Sequence, residues 1–467
     1  MPRRLLIRRR GSISRTFVGL TALPLVVIAA ARGDDWPAFL GPQGSGISTE
    51  TGLLAAWPAG GPPVLWKKKV GEGYAAPAVR DERLVFFHRE GDEEIVECLA
   101  ATTGATLWRH AAPTDFLDPY GYNGGPRAAP VLTADRCFTF GAEGRLTCLD
   151  LATGKLVWQR ETNREFDVPP AFFGAGSTPL VDGDQLIVMV GGHPQAGVVA
   201  FDTATGKTRW QAIGFDDFPA APVRIQRDRP PEKLASYASP ALATIHGQRH
   251  LLCFMRPGLV SLDPATGRKR FTFWFRSPLH DSVNAAQPVV IDNQIFLSAA
   301  YDTGAVMLEV AADGGAAAVA WQDELAMQNH WSTTIARDGF LYGFSGRHEQ
   351  GSDFRCVRVR DGAVMWRTPS DESPAAREPF YGRGSAIFAD GRFLVMGERG
   401  TLALVEATAE RFREISRARF PELDHPCWTA PVLANRRLYI TGCRPVTGAS
   451  RRDREEYHLL CLDLAAE

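Results

Sequence analysis

The sequence predicts an all-β protein: an eight-bladed β-propeller of four-stranded antiparallel blades, closed into a ring by an N-terminal strand. Four observations support this fold class. A hairpin motif that ends in Trp recurs along the chain, and a second block containing Pro recurs between its copies. The last repeat also lacks an outer strand, which the N-terminal region can supply. The 45 Gly and 32 Pro residues favour a fold with many turns over a helical one.

The hairpin motif has the pattern Asp-x-x-Thr-Gly-Lys-x-x-Trp, and its clearest copy runs from Asp150 to Trp158. An alternating strand leads to the Asp, whose carboxylate caps the turn, and the Gly supplies the positive φ that a tight turn requires. A Trp at one fixed place per repeat predicts a ring wedged between neighbouring blades, where it buries about 150–250 Å². The residues predicted to dock the blades in this way are Trp66, Trp108, Asp150, Trp158, Asp202, Trp210, Asp263, Trp321 and Trp366.

The second recurring block marks where each blade begins. It reads as a small residue, usually a Pro, an apolar pair, a turn and then an apolar strand, as in Ala129–Leu132 followed by Cys137–Phe140. Together the two blocks give four short strands in about 45–55 residues, which is the size of a propeller blade. A seven-bladed ring would require one of repeats five to seven to be an insertion. Innermost strands are predicted to start near residues 76, 129, 178, 239, 287, 333, 386 and 430, which gives eight blades.

The two ends of the repeat region complement each other. The last repeat stops at residues 461–467 without a turn or a Trp, so its outer strand is missing. Near the other end, Pro63–Lys67 has the character of an outer strand, but no blade precedes it. Pairing this segment with the last blade closes the ring and removes two unpaired sheet edges.

Residues 1–33 are predicted to be a signal peptide, followed by a lead-in segment over 34–62 and the propeller over 63–467. Several Arg residues open the chain, Phe17–Ala31 carries no charge, and the small residues at its end suit a signal peptidase. An N-terminal membrane anchor is the alternative, but the uncharged stretch is short for a bilayer span. We therefore expect a periplasmic or secreted monomer with no transmembrane span in its mature part. The net charge of −1 argues against a nucleic-acid partner.

Export permits disulfides, and the chain has eight cysteines with no adjacent pair and no CxxC metal motif. A hairpin centred on Asn435 predicts that Cys427 and Cys443 face each other across two strands. Cys137 and Cys148 flank another hairpin in a similar way. Both disulfides are hypotheses, and mass shifts after alkylation with and without reductant distinguish them from free thiols.

The hairpin pattern resembles the tryptophan-docking motif of pyrroloquinoline-quinone (PQQ)-like repeat proteins, and the match covers nearly all of the chain after the predicted signal peptide. The segment Asp35–Pro42 is also similar to the start of many exported members. The resemblance implies a propeller, but two branches of the family differ in function. One holds the quinoprotein alcohol and glucose dehydrogenases, and the other holds non-catalytic scaffolds such as the outer-membrane assembly factor BamB.

The resemblance also implies what a dehydrogenase of this family contains. Such enzymes hold PQQ on the ring axis, usually with calcium, and use an adjacent-cysteine disulfide, a Trp floor, Glu and Asn calcium ligands and an Asp base. This chain has no adjacent cysteines, and no local Glu, Asn and Asp set matches with confidence. We therefore expect a non-catalytic scaffold without a cofactor, and a PQQ-dependent dehydrogenase with PQQ and calcium is the alternative.

In a propeller, the loops that enter the innermost strands converge on one face of the central channel. Here those loops are aromatic and polar, and a concave mouth of aromatic and Arg side chains suits a peptide, a glycan or a planar ligand. The alternative is that these side chains fill the channel and pair with blade backbones. We expect a protein or polysaccharide partner in the cell envelope. The candidate ligand-binding residues are Tyr74, Tyr122, Asn123, Arg127, Phe173, Tyr237, Asn284, Asn329, His330, Trp331, Tyr381, Arg383, His425 and Trp428.

Overall fold

The fold is taken from a computed structural model of the chain. The predicted signal peptide lies outside the described residues, apart from Met1. Within the part of the chain that is described, no helix is both long enough and apolar enough to cross a membrane. The structure describes residue 1 and residues 34–170, 172–219, 234–280, 282–349, 351–368, 380–446 and 455–466.

The described residues form eight four-stranded antiparallel sheets, and each sheet is one blade. This arrangement confirms the predicted eight-bladed propeller. Strand β1 (Val64–Val70) precedes the first blade in the sequence. The strands of blades one to four, each from the innermost outward, are β2 (Ala78–Arg80), β3 (Arg83–Glu90), β4 (Glu93–Ala100) and β5 (Thr106–Pro113); β6 (Val131–Leu132), β7 (Arg136–Phe140), β8 (Arg145–Asp150) and β9 (Leu156–Glu161); β10 (Leu180–Asp182), β11 (Gln185–Val188), β12 (Val198–Asp202) and β13 (Thr208–Ala212); β14 (Ala241–Ile245), β15 (Gln248–Phe254), β16 (Gly258–Leu262) and β17 (Lys269–Trp274).

The remaining blades follow the same order, and blade eight takes β1 as its outermost strand. A helical turn, α1 (Thr162–Glu165), and a 3-10 turn (Phe215–Asp217) lie in loops between blades. The strands of blades five to eight are β18 (Val289–Ile291), β19 (Gln294–Ala299), β20 (Gly304–Val310) and β21 (Ala317–Asp323); β22 (Ile335–Arg337), β23 (Phe340–Ser345), β24 (Asp353–Arg358) and β25 (Val364–Arg367); β26 (Gly384–Ala389), β27 (Arg392–Gly397), β28 (Thr401–Ala407) and β29 (Phe412–Arg419); β30 (Val432–Ala434), β31 (Arg437–Pro445) and β32 (Glu455–Asp463).

Burial along each blade explains its sequence pattern. The second and third strands pack against neighbouring blades on both faces, so they read as nearly continuous apolar runs; β16, for example, is buried at every residue. The outer strand has one face toward solvent, and β5 accordingly alternates between exposed and half-buried positions. This is the pattern expected of a strand with a single packed face.

The ring closes as predicted. Strand β1 pairs antiparallel with β32, and Trp66 lies opposite Cys461 in the register. The last blade therefore receives its outer strand from the N-terminal side of the chain, and neither segment is left with an open edge toward the other.

Each Trp of the hairpin motif meets the outer turn of the following blade, and for Trp66, Trp108 and Trp158 this turn contains Thr-Gly. The Trp108 indole donates a hydrogen bond to the carbonyl of Leu151 at 3.0 Å, and its ring faces Gly154. A Cβ at Gly154 would lie 2.5 Å from that ring, and the residue has a φ of +71°. Only Gly provides both the space and the conformation at low cost. Equivalent indole contacts to carbonyls are made by Trp66 to Ala101, Trp158 to Thr203, Trp321 to Val359 and Trp366 to Thr408.

The acceptor of the indole hydrogen bond differs in blade three, whereas the Asp cap is the same in three of the turns. Trp210 faces Gly267 like its counterparts, but its indole donates to the side-chain oxygen of Gln185 at 3.1 Å. In the turns themselves, each Asp carboxylate accepts hydrogen bonds from the backbone N–H and the hydroxyl of the Thr three residues later. These pairs are Asp150 with Thr153, Asp202 with Thr205 and Asp263 with Thr266.

The predicted Cys137–Cys148 disulfide is wrong. In the register of blade two, Cys137 lies opposite Leu149 and Cys148 lies opposite Phe138. Adjacent positions of a strand point to opposite faces of the sheet, so the two thiols enter different interblade cores. Cys427 and Cys443 share one core, where the Cys427 Sγ lies 2.8 Å from the carbonyl oxygen of Asp424 and the Cys443 Sγ lies 3.3 Å from that of His425. Their disulfide stays a prediction.

The lead-in segment runs across the central channel. Trp36 pairs with Val79 of blade one, and Ile47 forms a bridge with Phe388 of blade seven. Between them, the carbonyl of Pro37 accepts the N–H of Leu132 in blade two. The segment next passes Gln287 of blade five and Ile335 of blade six, which lie beside Gly44 and Gly46. It then continues to blade eight through a bridge between Leu53 and Ala465.

Candidate functional site

Two sets of loops meet on one face of the ring and surround a cavity of about 380 Å³, which is within the range of small-ligand sites. One set connects each outer strand to the next innermost strand, and the other connects the second and third strands within a blade. We refer to this cavity and its opening as the mouth. Nine of the fourteen candidate residues line it: Tyr74, Tyr122, Arg127, Phe173, Tyr237, His330, Trp331, Arg383 and Trp428.

Sequence reasoning missed part of the lining. Tyr301, Arg347 and His348 come from turns between second and third strands, whereas the prediction considered only loops that enter innermost strands. In an antiparallel blade, the turn between the second and third strands lies on the same face as the loop that enters the innermost strand. The sequence positions of these turns could therefore have identified the additional lining residues. Phe39 and Leu40 come from the lead-in segment, and only its path across the channel brings them to the mouth.

The other five candidates lie outside the lining, and most of them hold the loops in place. Asn284 donates to the carbonyl of Met255, Asn329 donates to the carbonyl of Phe344, and Asn123 donates to the hydroxyl of Tyr457. Tyr381 is buried and donates to Glu414, and His425 lies behind the mouth beside Glu398. The side chains of the three Asn residues thus form hydrogen bonds within the protein, as the alternative to a ligand-binding role predicted.

Aromatic rings form a nearly continuous belt around the mouth. The Trp428 ring lies 5.1 Å from Tyr74, 5.4 Å from Tyr122 and 5.3 Å from Trp331, measured between centroids. Tyr122 in turn lies 5.9 Å from Phe173. Offset and edge contacts at these distances hold the rings against one another, so their faces are fixed before a ligand arrives.

Glu398 is the buried anion behind the belt. It accepts a bidentate pair of hydrogen bonds from Arg383, a hydrogen bond from the Trp428 indole at 2.8 Å, and a contact from His425 at 3.3 Å. Burial alone would raise the pKa of this carboxyl, but the hydrogen bonds from His425, Arg383 and Trp428 lower it to about 2. Glu398 is therefore ionised, and it holds Arg383 against both the Trp331 and the Trp428 rings.

Arg127 is held by a second buried carboxylate on the opposite side of the mouth. Its guanidinium pairs with Asp118 at 2.7 Å and lies 5.7 Å from the centroid of the Tyr74 ring. The Asp118 side chain is fully buried. Two of the three lining arginines thus have a dedicated carboxylate partner, and both are oriented by it.

Arg347 differs from the other two lining arginines. Its guanidinium carbon lies 4.3 Å from the centroid of the Tyr301 ring, and among the described residues it has no carboxylate partner. The Tyr301 hydroxyl contacts His330 at 3.1 Å, while the other ring nitrogen of His330 and the indole nitrogen of Trp331 are buried and have no hydrogen-bond partner within the described ranges of the chain. Burial, together with Arg383 and Arg347, lowers the pKa of His330 to about 3, so its imidazole is neutral.

The donor set behind the mouth does not fit the calcium and quinone of the dehydrogenases. Glu349, Glu398 and His425 do place ligand atoms within 4.8 Å of one another. However, Glu398 is paired with Arg383 and Glu349 with Arg399, so two guanidiniums already neutralise the carboxylates that a calcium ion would need. Asp118, the one carboxylate among the described residues that line the mouth, is likewise committed to Arg127.

The fold and the mouth define the class of protein: an eight-bladed propeller with a cavity on its axis. The family model described as outer membrane protein assembly factor BamB matches residues 91–368 and, in a second alignment, residues 195–444. Each match covers more than half of the chain, so the chain belongs to this family of PQQ-like repeat propellers.

Solved structures share the fold at low sequence identity. BamB from Moraxella catarrhalis is 15% identical, with 85% of this chain and 99% of that chain covered and a TM-score of 0.54. Quinohemoprotein alcohol dehydrogenase from Comamonas testosteroni is 14% identical, with 94% and 82% covered and a TM-score of 0.60. A quinohemoprotein alcohol dehydrogenase from Pseudomonas putida HK5 is 13% identical, with 93% of this chain and 80% of that chain covered and a TM-score of 0.60. No curated protein matches the chain. These likenesses show the fold alone.

Proposed function

We propose that the chain is an exported, monomeric, non-catalytic propeller that binds a partner protein or an extracellular polymer through its mouth. The observation that carries this proposal is the axial cavity with fixed aromatic faces and lining arginines. Trp, Tyr and Arg are the residues that dominate binding energy at interfaces, and a preformed site avoids the entropic cost of ordering them. At the rim, Tyr120 and Tyr122 are each 48% exposed, so they are available to a large ligand.

The absence of an adjacent-cysteine pair and the commitment of the carboxylates to arginines support a binding role over quinone chemistry. A quinone-dependent enzyme of this family would need carboxylates that are free to hold calcium, and Glu398 and Asp118 are each engaged by a guanidinium. The family membership is compatible with a scaffold, because the matching family is described as an assembly factor.

The binding role is tested by retention. The full-length protein is immobilised, and the proteins and polysaccharides that it retains from an envelope extract are compared with those retained by the Trp331→Ala variant. Trp331 is chosen because its indole nitrogen has no partner to leave unsatisfied. The expected result is loss of a retained component at unchanged thermal midpoint. Val319→Ser, on the outer strand β21, is the matched control and should retain everything that the unmodified protein retains.

The dehydrogenase alternative is tested separately. Reconstitution with PQQ and calcium, followed by dye reduction with alcohols and aldoses, should give no turnover above that of free PQQ. Quinone-dependent turnover that disappears in Trp331→Ala would refute the non-catalytic proposal, whatever the retention experiment shows.

A further inference from the structure

We infer that the mouth binds the terminal sugar of an acidic, uronate-bearing polysaccharide, with the carboxylate of that sugar held by Arg347. This inference rests on the proposed function, because it names the chemical class of the ligand for the same mouth. It depends on four features: an arginine without a carboxylate partner, unpaired polar atoms beside it, a belt of ring faces, and a lead-in segment beneath the cavity.

The first feature is the charge balance of the lining. Among the residues that the structure describes, three arginines and one carboxylate, that of Asp118, line the mouth, and Glu398 lies just behind it. Asp118 and Glu398 neutralise Arg127 and Arg383, which leaves the half-buried Arg347 without an anionic partner in the described part of the chain. A guanidinium presents a planar fork of donors that matches a carboxylate, so an anionic ligand group is the natural complement at this position.

The second feature is a pair of polar atoms that have no hydrogen-bond partner in the part of the chain that the structure describes. The indole nitrogen of Trp331 is a donor, and one ring nitrogen of the neutral His330 is a donor or an acceptor according to its tautomer. Both side chains line the mouth, and their rings lie 5.1 Å apart. Buried polar atoms without partners are costly, and ligand hydroxyl groups satisfy either kind of atom. A purely apolar planar ligand would leave them unpaired.

The third feature is the arrangement of ring faces next to these polar atoms. The Trp331 and Trp428 rings are 5.3 Å apart and belong to the belt that encircles the opening. A pyranose has flat C–H faces that stack on aromatic rings and an equator of hydroxyl groups that form hydrogen bonds. A uronic acid adds one carboxylate to that equator. Stacking faces, neutral hydrogen-bonding atoms and one uncompensated arginine thus match its three kinds of surface, whereas an acidic peptide side chain offers no ring face.

The fourth feature is the lead-in segment, which limits entry to one side. Phe39 lines the mouth and also lines a second cavity of about 780 Å³, so the lead-in segment borders both cavities. The segment crosses the channel between bridges at Trp36 and Ile47. A polymer therefore cannot thread through the ring at this position, and the mouth receives a chain end.

The test uses the full-length protein and two forms of one oligosaccharide. A galacturonic acid tetrasaccharide and its methyl ester have the same rings and hydroxyl groups, but only the acid carries charges. Binding is measured by calorimetry and by quenching of Trp fluorescence. A charged hydrogen-bonded pair contributes about 1.5–3 kcal/mol, so the acid should bind at least about 10-fold tighter than the ester. Arg347→Gln should remove this preference and leave the affinity for the ester unchanged.

Two controls separate a local role of Arg347 from a general effect of charge. Arg360→Gln removes a guanidinium whose side chain is 76% exposed in a turn away from the mouth, and it should leave both affinities unchanged. Lengthening the acid from a tetrasaccharide to an octasaccharide should not tighten binding, because only the terminal sugar enters.

The remaining outcomes overturn the inference in distinguishable ways. Equal affinities for acid and ester, an acid preference that survives Arg347→Gln, or tighter binding of an oligoglutamate peptide than of the acid would each contradict it. If neither sugar binds while Trp331→Ala still abolishes retention of an envelope component, the ligand class is wrong and the proposed function stands. If Trp331→Ala changes nothing in either experiment, both fail.

Discussion

The replacement Glu398→Gln should destabilise the protein at neutral pH and much less in acid. The carboxylate is buried and accepts hydrogen bonds from Arg383 and Trp428, and its pKa falls from 4.5 to about 2. Since one pKa unit is worth about 1.36 kcal/mol, the ionised form contributes about 3 kcal/mol to the free energy of unfolding. A lowered pKa means that this contribution is present above pH 4.5 and is lost as the pH falls through 2.

The assay is thermal unfolding of both proteins at pH 7 and at pH 3. Unfolding entropy of about 2.1 cal/mol/K per residue makes 3 kcal/mol equal to a shift of roughly 3 °C for a propeller of this size. The midpoint of Glu398→Gln should therefore lie about 3 °C below that of the unmodified protein at pH 7. By linkage the gap should shrink to about 1 kcal/mol, or about 1 °C, at pH 3.

Glu94→Gln provides the control of opposite sign. Glu94 is also buried and accepts the N–H of Ala142, but burial raises its pKa, so folding shifts this carboxyl toward its neutral form. The difference in unfolding midpoint between Glu94→Gln and the unmodified protein should therefore not shrink between pH 7 and pH 3. A gap for Glu398→Gln that is equal at pH 7 and pH 3 would refute the reasoning, because it would assign the loss to packing and not to charge.

Three further predictions concern the ring. Gly154→Ala should lower the free energy of unfolding by about 1–3 kcal/mol, since it imposes a strained φ of +71° and a Cβ 2.5 Å from the Trp108 ring; denaturant unfolding measures it, and no loss would contradict the docking geometry. Trp66→Ala should cost about 3–5 kcal/mol in the same assay, because the ring is 9% exposed and joins the closing strand to blade one. After denaturation without reductant, Cys137 and Cys148 should both take up an alkylating reagent, and a peptide linked through the two would show that the blade register is wrong.

The blade count and the closure were predictable because they depend on local chemistry that repeats. A turn that needs a positive φ selects Gly, and a ring that fills the space between blades selects Trp, so the pattern at Gly154 and Trp158 recurs along the chain, with Phe271 in place of Trp in one copy. Closure followed from counting strands, and the pairing of Trp66 with Cys461 confirms it. These features require no knowledge of how distant segments pack.

The composition of the mouth was only partly predictable, because polar residues in converging loops have two uses. Asn284 and Asn329 donate to backbone carbonyls of the protein itself, and a sequence gives no sign of which Asn does so. The same ambiguity affects arginines. Arg383 pairs with a buried carboxylate 15 residues away. Arg347 lies outside the loops from which the candidates were predicted, and among the described residues it has no carboxylate partner.

The lead-in segment links the closure of the ring to the chemistry of the mouth. Leu40 has a φ of +60° and is only 5% exposed, and Gly41 follows it at +83° with its Cα against the Trp36 ring. These conformations turn the chain so that Phe39 and Leu40 face the cavity. Without this turn the channel would pass from one face of the ring to the other, and the arginines would line an open pore. The segment that appears in sequence as a mere approach to the first blade therefore gives the mouth its depth and restricts its ligand to one side.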